Sequence, residues 1–206
     1  MTRLILVRHG ESIAQAEGYI GGPKGCRGLS ELGRQQVEAL RDRWQSLGGI
    51  QADILLSSTL PRAVETAEIL LPALGELVIE QLEELCEILP GECDGMRWSE
   101  FEERFRGGDY RWDPYTALAP GGESWFEFQT RVSKAIGEVV ERHEGQTVVA
   151  AVHGGVIDGS MVHFLGLPKD AGNVLESINA SVTEWRLTER GWRLVRFNDH
   201  AHLEGR

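Results

Sequence analysis

Residues 3–12 read RLILVRHGES. An unbroken apolar run, Leu4-Ile5-Leu6-Val7, stops abruptly at Arg8, His9 and Gly10. A short continuous apolar run closed by a glycine-containing break predicts a strand buried on both faces. Open α/β sheets bind ligands in the crevice beyond the carboxyl ends of their strands, so Arg8 and His9 stand where such a sheet does chemistry. Residues 148–155, VVAAVHGG, repeat the design with an apolar run, a histidine, then glycines. Two buried strands that each end in His-Gly bring two imidazoles to one sheet edge, and the expected fold class is α/β.

Between these strands the punctuation is readable. Residues 13–29 are glycine-rich, include GGPKGCRG, and read as a loop over the site. Lys24 and Arg27 in that loop could meet an anionic substrate or be solvated loop charges. Ser30 has the character of an N-cap; Val37, Leu40, Trp44 and Leu47 follow at helical spacing, and Gly48-Gly49 stop the helix. A second apolar run, Ile54-Leu55-Leu56, ends in two serines. Pro61 suits the first turn of the next helix and sets Arg62 beside free backbone N–H groups, a natural anion site. The competing reading of Arg62 is a surface pair with Glu65. Val78-Ile79 suggest a short strand before an acidic stretch, Glu80 to Glu92, most of which should be solvated.

Residues 96–124 interleave Trp98, Phe101, Phe105, Tyr110, Trp112 and Tyr115 with arginines. They read as a lid that packs on the domain and offers side chains to a substrate, rather than as a nucleic-acid stacking surface. Gly121-Gly122-Glu123-Ser124 then open a long helix with Trp125, Phe128, Val132, Ile136 and Val139 on its buried face. After the strand Thr147 to Val152, Gly154-Gly155 open another helix, with Val156, Ile157, Met161, Phe164 and Leu165 as its apolar positions. His163 lies too far along it to share the site. Ser181 to Thr188 and Trp192 to Phe197 around Glu189-Arg190-Gly191 read as a hairpin.

Length and composition narrow the function. The 206 residues suit one domain, 1–206, with a lid-like insertion at about 96–122. A net charge of −11 argues against nucleic acid and means that any phosphate site must be locally basic. No apolar stretch approaches the roughly 20 residues of a membrane span, and the N-terminal run is too short for a signal peptide; the expected location is cytoplasmic. Cys26, Cys86 and Cys93 form no CxxC arrangement and read as reduced thiols. With His9 and His153 they could in principle make a soft metal site, but their spacing matches no zinc pattern.

RHGES resembles the signature of the histidine phosphatase superfamily, which includes cofactor-dependent phosphoglycerate mutases. Further landmarks stand in family order: Leu29-Ser30-Glu31-Leu32-Gly33-Arg34, Ser57-Ser58 with Arg62-Ala63, Thr66-Ala67-Glu68, Glu87 with Gly91 and Gly95, Pro120-Gly121-Gly122-Glu123-Ser124, His153-Gly154-Gly155, and Asn198-Asp199 with His202-Leu203. The resemblance covers nearly the whole chain. It implies a phosphoglycerate mutase-like fold, three layers α/β/α around a central, mostly parallel sheet. It also moves Arg62 to phosphate binding and singles out Glu87 as the acidic catalytic residue, with Glu83, Glu84 and Glu92 as fallbacks.

The implied chemistry needs no metal and no other cofactor. Guanidinium groups stay charged and grip phosphate oxygens bidentately, so Arg8, Arg62, His153 and helix N-terminal amides such as that of Gly154 form a coherent phosphate pocket. His9 is the expected nucleophile and forms a phosphohistidine; its other ring nitrogen should donate to a backbone carbonyl. Glu87 is the expected proton donor and later base, and His153 stabilises charge on the transferring oxygens. Several positions depart from the family pattern. Gln15 stands where an Asn is common and is carried as a phosphate contact; Cys26 replaces an Asp, Cys93-Asp94 a Trp-Glu pair, and Asp158 a basic residue. The reading is a phosphomonoesterase acting on a small phosphorylated metabolite. A mutase and a non-catalytic phosphate-binding module are the alternatives, and the lid and terminal hairpin are two surfaces through which a homodimer could form.

Overall fold

The computed structural model describes residues 1–106, 113–172 and 175–204, Arg106 by its backbone alone. Tyr110, Arg111 and Trp112 of the expected lid lie outside these residues. Among the described residues six strands form one sheet: β1 (Arg3–Arg8), β2 (Ile54–Ser57), β3 (Ile79–Gln81), β4 (Thr147–Val152), β5 (Val182–Thr188) and β6 (Gly191–Asp199). Their order is β3-β2-β4-β1-β5-β6. The first four run parallel, and the β5–β6 hairpin joins β1 antiparallel.

The apolar run of β1 is divided between two cores by the period-2 alternation of a strand. Leu4 and Leu6 pack on one face with Phe128, Val132 and Ile136 of helix α5 (Trp125–Arg142) and Val156, Ile157 and Met161 of helix α6 (Gly154–Leu165). Ile5 and Val7 pack on the other with Val37, Leu40 and Trp44 of helix α2 (Glu31–Ser46) and Ala67 and Leu70 of helix α3 (Pro61–Leu70). Burial on both faces is why β1 and β4 need continuous apolar sequence. Each large side chain so buried contributes roughly 1.5–3 kcal/mol.

The caps stand where the residue types place them. Ser30 Oγ accepts from Gly33 N at the start of α2, and Ser124 and Glu127 form a reciprocal capping box on α5. Pro61 is the first residue of α3. Two apolar positions expected to be buried are not: Leu47 caps the C-terminus of α2 and is exposed, and Leu165 ends α6 in solvent. The stretch 13–29 is also not wholly a loop. Helix α1 (Ile13–Glu17) forms because Ser12 and Gln15 supply a capping box and Gly18, at φ 73°, ends it. The short helix α4 (Trp98–Phe101) starts the stretch expected to be a lid, where Phe101 and Ala119 share a small core with Ile20 and Cys93.

Candidate active site

Register brings the two histidines together. Arg8 is paired with Val152 across β1 and β4, and His9 N donates to Val152 O at 2.9 Å. The rings leave the sheet side by side with centroids 5.0 Å apart. Both are buried, His9 at 4% exposure and His153 at 0%. Gly10 is required beside His9, because a Cβ there would lie 2.3 Å from the carbonyl oxygen of Gly33 in α2.

Hydrogen bonds define the form of each ring. His9 Nδ1–H donates to Gly10 O at 2.6 Å, which leaves Nε2 as an unprotonated lone pair. Arg62 Nε–H points at that lone pair from 3.0 Å, and at His153 Nδ1 from 3.3 Å. His153 Nε2–H in turn donates to Ser58 Oγ at 2.7 Å. Both imidazoles are therefore neutral. Burial first, and the Arg62 charge second, push their pKa values well below 6.5.

Two arginines make this corner basic in an acidic chain. Arg62, in the first turn of α3, also donates to Gly21 O at 2.5 Å. Its alternative partner Glu65 instead holds Arg34 and the amide of Leu29. Arg8 donates through Nη1 to Ser177 O, while its Nε is buried without a hydrogen-bond partner among the described residues. A buried orphan donor on a cation is a place for an anion. Glu87 lies across the pocket, its carboxylate accepting from Gly155 N at 3.1 Å and Ile88 N at 3.1 Å. A Cβ on Gly155 would stand 2.5 Å from Glu87 Oε1, so the α6 N-terminus must be glycine for the carboxylate to sit there. Arg8, His9, Arg62 and Glu87 line one open pocket of about 190 Å³. Among the described residues no group of three His, Cys, Asp or Glu side chains is placed to hold a metal ion.

This geometry has known counterparts. The model of the histidine phosphatase superfamily (branch 1) matches residues 4–200. The chain belongs to that superfamily. A metal-independent phosphoserine phosphatase of Arabidopsis thaliana is 28% identical over 98% of this chain and 84% of its own. Phosphoserine phosphatase 1 of Hydrogenobacter thermophilus is 31% identical over 98% of this chain and 95% of its own. Among solved structures, Bacillus stearothermophilus YhfR superposes with a TM-score of 0.85 at 31% identity, covering 99% of this chain and all of the other. The protein is a histidine phosphatase, a phosphoric monoester hydrolase with the phosphoglycerate mutase-like fold. No helix among the described residues is long and apolar enough to cross a membrane.

The other residues singled out in the sequence take the following places. Gln15 lines the phosphatase pocket, but its Oε1 accepts from Ser12 N and from Asn179 Nδ2, which leaves only its Nε2 to meet a phosphate. Gly154 lies in an adjoining hollow with Arg8 and Glu87. Arg27 turns outward to Glu17 and Tyr19 as a solvated loop charge. His163 packs on Phe164 away from the pocket.

Five supporting residues had no assigned role in the sequence reading. Ser58 orients His153, and Thr66 Oγ1 accepts from Gly10 N. Asn179 Nδ2 and the backbone N–H of Ala180 both donate to His9 O. Ala180 does so in the left-handed region at φ 58°, a strain of roughly 1–2 kcal/mol that the surrounding packing holds. Asp94 is the fifth. Its carboxylate accepts from Gly22 N at 2.8 Å, Lys24 N at 2.7 Å and Gly25 N at 2.9 Å, and so shapes the loop that forms one pocket wall. Asp94→Ala is expected to raise KM several-fold and to lower stability by about 2 kcal/mol; steady-state kinetics and denaturant unfolding check both.

The buried histidines also set a pH dependence of stability. Above 6.5 they are neutral in both folded and unfolded chains. Below it the unfolded chain takes up protons that the folded phosphatase refuses, so stability falls with pH, by up to about 1.4 kcal/mol per pH unit for each ring. His163, also held low by burial, acts in the same sense. Asp158 opposes them: burial, then the neighbouring Glu87, raises its carboxyl from 3.8 to about 7, so the folded chain holds a proton there that the unfolded one has lost. Urea unfolding is expected to show stability falling from about pH 6.5 to about pH 5, and Asp158→Asn is expected to steepen the fall.

Proposed function

We propose that the phosphatase hydrolyses small phosphorylated metabolites through a phosphohistidine on His9, within one domain spanning 1–206 whose residues 96–122 act as a lid. The observation that supports this most is the tautomer of His9: Nδ1–H on Gly10 O directs the Nε2 lone pair to the pocket beside Arg62. An arriving phosphate takes over the Arg62 N–H and the orphan Nε–H of Arg8, which uncovers Nε2 for attack. The N–P bond forms as the bond to the leaving oxygen breaks, and Glu87 supplies that oxygen with a proton. Water then attacks phosphorus, returns a proton to Glu87, and breaks the N–P bond to release inorganic phosphate. Arg8, Arg62, His153, Gly154 and Gln15 Nε2 surround the equatorial oxygens.

The test uses kcat/KM, which reports the first phosphoryl transfer alone. Glu87→Gln is expected to cost about 100-fold or more with an alkyl phosphate, whose alkoxide needs the proton, and less than about tenfold with a nitrophenyl phosphate, whose phenolate does not. Equal losses on both would count against Glu87 as the acid. Free phosphate should appear with every turnover in the presence of a chelator; phosphate retained on the protein until a second acceptor arrives would indicate a mutase.

A further inference from the structure

Beyond its phosphate end the pocket changes character. Tyr19, Ile20, Ile88, Pro90, Trp98 and Leu118 form the part that a leaving alcohol must occupy. Backbone hydrogen bonds lock two walls of it together. Ile20 N donates to Met96 O, Gly95 N to Ile20 O, and Trp98 N to Gly18 O. Trp98 is half exposed, an indole set at the mouth rather than in the core.

Among the described residues no cation other than Arg8 and Arg62 lines this pocket. Two nearby arginines are committed elsewhere: Arg27 to Glu17 and the Tyr19 hydroxyl, Arg97 to the carbonyl of Glu17. Backbone amides could also receive a carboxylate, and a glycine-rich loop is the usual place for them. Here those of Gly22, Lys24 and Gly25 are already taken by Asp94, which adds a negative charge behind the same wall. Among the described residues a substrate carboxylate would therefore find no third cation on the pocket wall, whereas an apolar group would find apolar and aromatic surface.

We propose, resting on the phosphatase reading above, that the preferred substrates are monoesters of apolar or aromatic alcohols rather than carboxylate-bearing ones such as phosphoserine or 3-phosphoglycerate. Asp94 and Trp98 are the specificity-determining residues, the first by occupying the loop amides and the second by packing on the alcohol. The comparison pairs phenethyl phosphate with O-phosphoserine, because both release an alkyl alcohol and leaving-group chemistry is matched. The expected kcat/KM ratio exceeds about tenfold in favour of phenethyl phosphate. Any smaller ratio, with turnover that is chelator-resistant and lost in His9→Ala, overturns the substrate class while leaving the phosphatase reading intact. Absence of turnover with either ester overturns that reading and this one together. Trp98→Ala is expected to shrink the ratio at least about threefold; an unchanged ratio overturns the placement of the alcohol against Trp98.

Discussion

Replacing His9 with alanine is expected to lower kcat/KM by about ten-thousandfold or more, equally for aryl and alkyl phosphates and equally with and without a chelator. The size follows from what the ring does. It is the attacking atom of the first step and the leaving group of the second, and no neighbouring side chain can take over either role. His153 lies close enough to be considered, yet its Nε2 is engaged with Ser58 and its Nδ1 faces Arg62. The substitution should leave the fold intact, since the His9 backbone is held independently by Val152, Asn179 and Ala180. Phosphate affinity should survive in the variant, because Arg8 and Arg62 remain. A loss below about a hundredfold would mean that water, not His9, attacks phosphorus.

Arg62→Ala is the second large effect, about a thousandfold in kcat/KM. Arg62 touches both histidines and the Gly21 carbonyl, so it sets the geometry of the corner as well as its charge. It also has a signature that loss of phosphate binding alone lacks. Arg62 is one of the causes that hold His9 in its neutral form. Without that positive neighbour the imidazolium becomes easier to form, so the acid limb of the pH profile should move to higher pH. An unmoved acid limb would show that Arg62 binds phosphate without tuning the nucleophile. Arg62→Lys should recover little, because an ammonium cannot direct one N–H at Nε2 while gripping a phosphate with others.

The parts of this molecule that follow simple periodicities could be read before any coordinates. Buried parallel strands demand continuous apolar runs, so β1 and β4 and the histidines at their ends stood out in the sequence. Ser30, Pro61 and Ser124 mark helix starts for reasons local to a few backbone amides, and they were equally plain. Glu87 had no such signal. A carboxylate in an acidic stretch looks like solvated surface, and its distinction is a contact with Gly155, 68 residues away. Family resemblance alone pointed to it. Asp94 was noticed as a departure from the family pattern, but its purpose depends on three amides some 70 residues earlier. Ser177, Asn179 and Ala180 lie in a connection before β5 with no periodicity at all, and only the tertiary approach to Arg8 and His9 gives them meaning. Helix α1 is hard to see because glycines dominate residues 13–29, and its capping box pairs Gln15 with Ser12, just ahead of that stretch.

The central claim is that phosphate passes through His9, and the most direct measurement is to trap it there. Substrate is mixed with the phosphatase, quenched in alkali within the first turnovers, and the protein is mapped by mass spectrometry. The account predicts an acid-labile, alkali-stable phosphoryl group on His9, formed and lost at the rate of turnover and more abundant in Glu87→Gln with an aryl phosphate, where the second step lacks its base. A fully active phosphatase with no phosphorylated His9 at any time, or with the phosphoryl group on another residue, would contradict it.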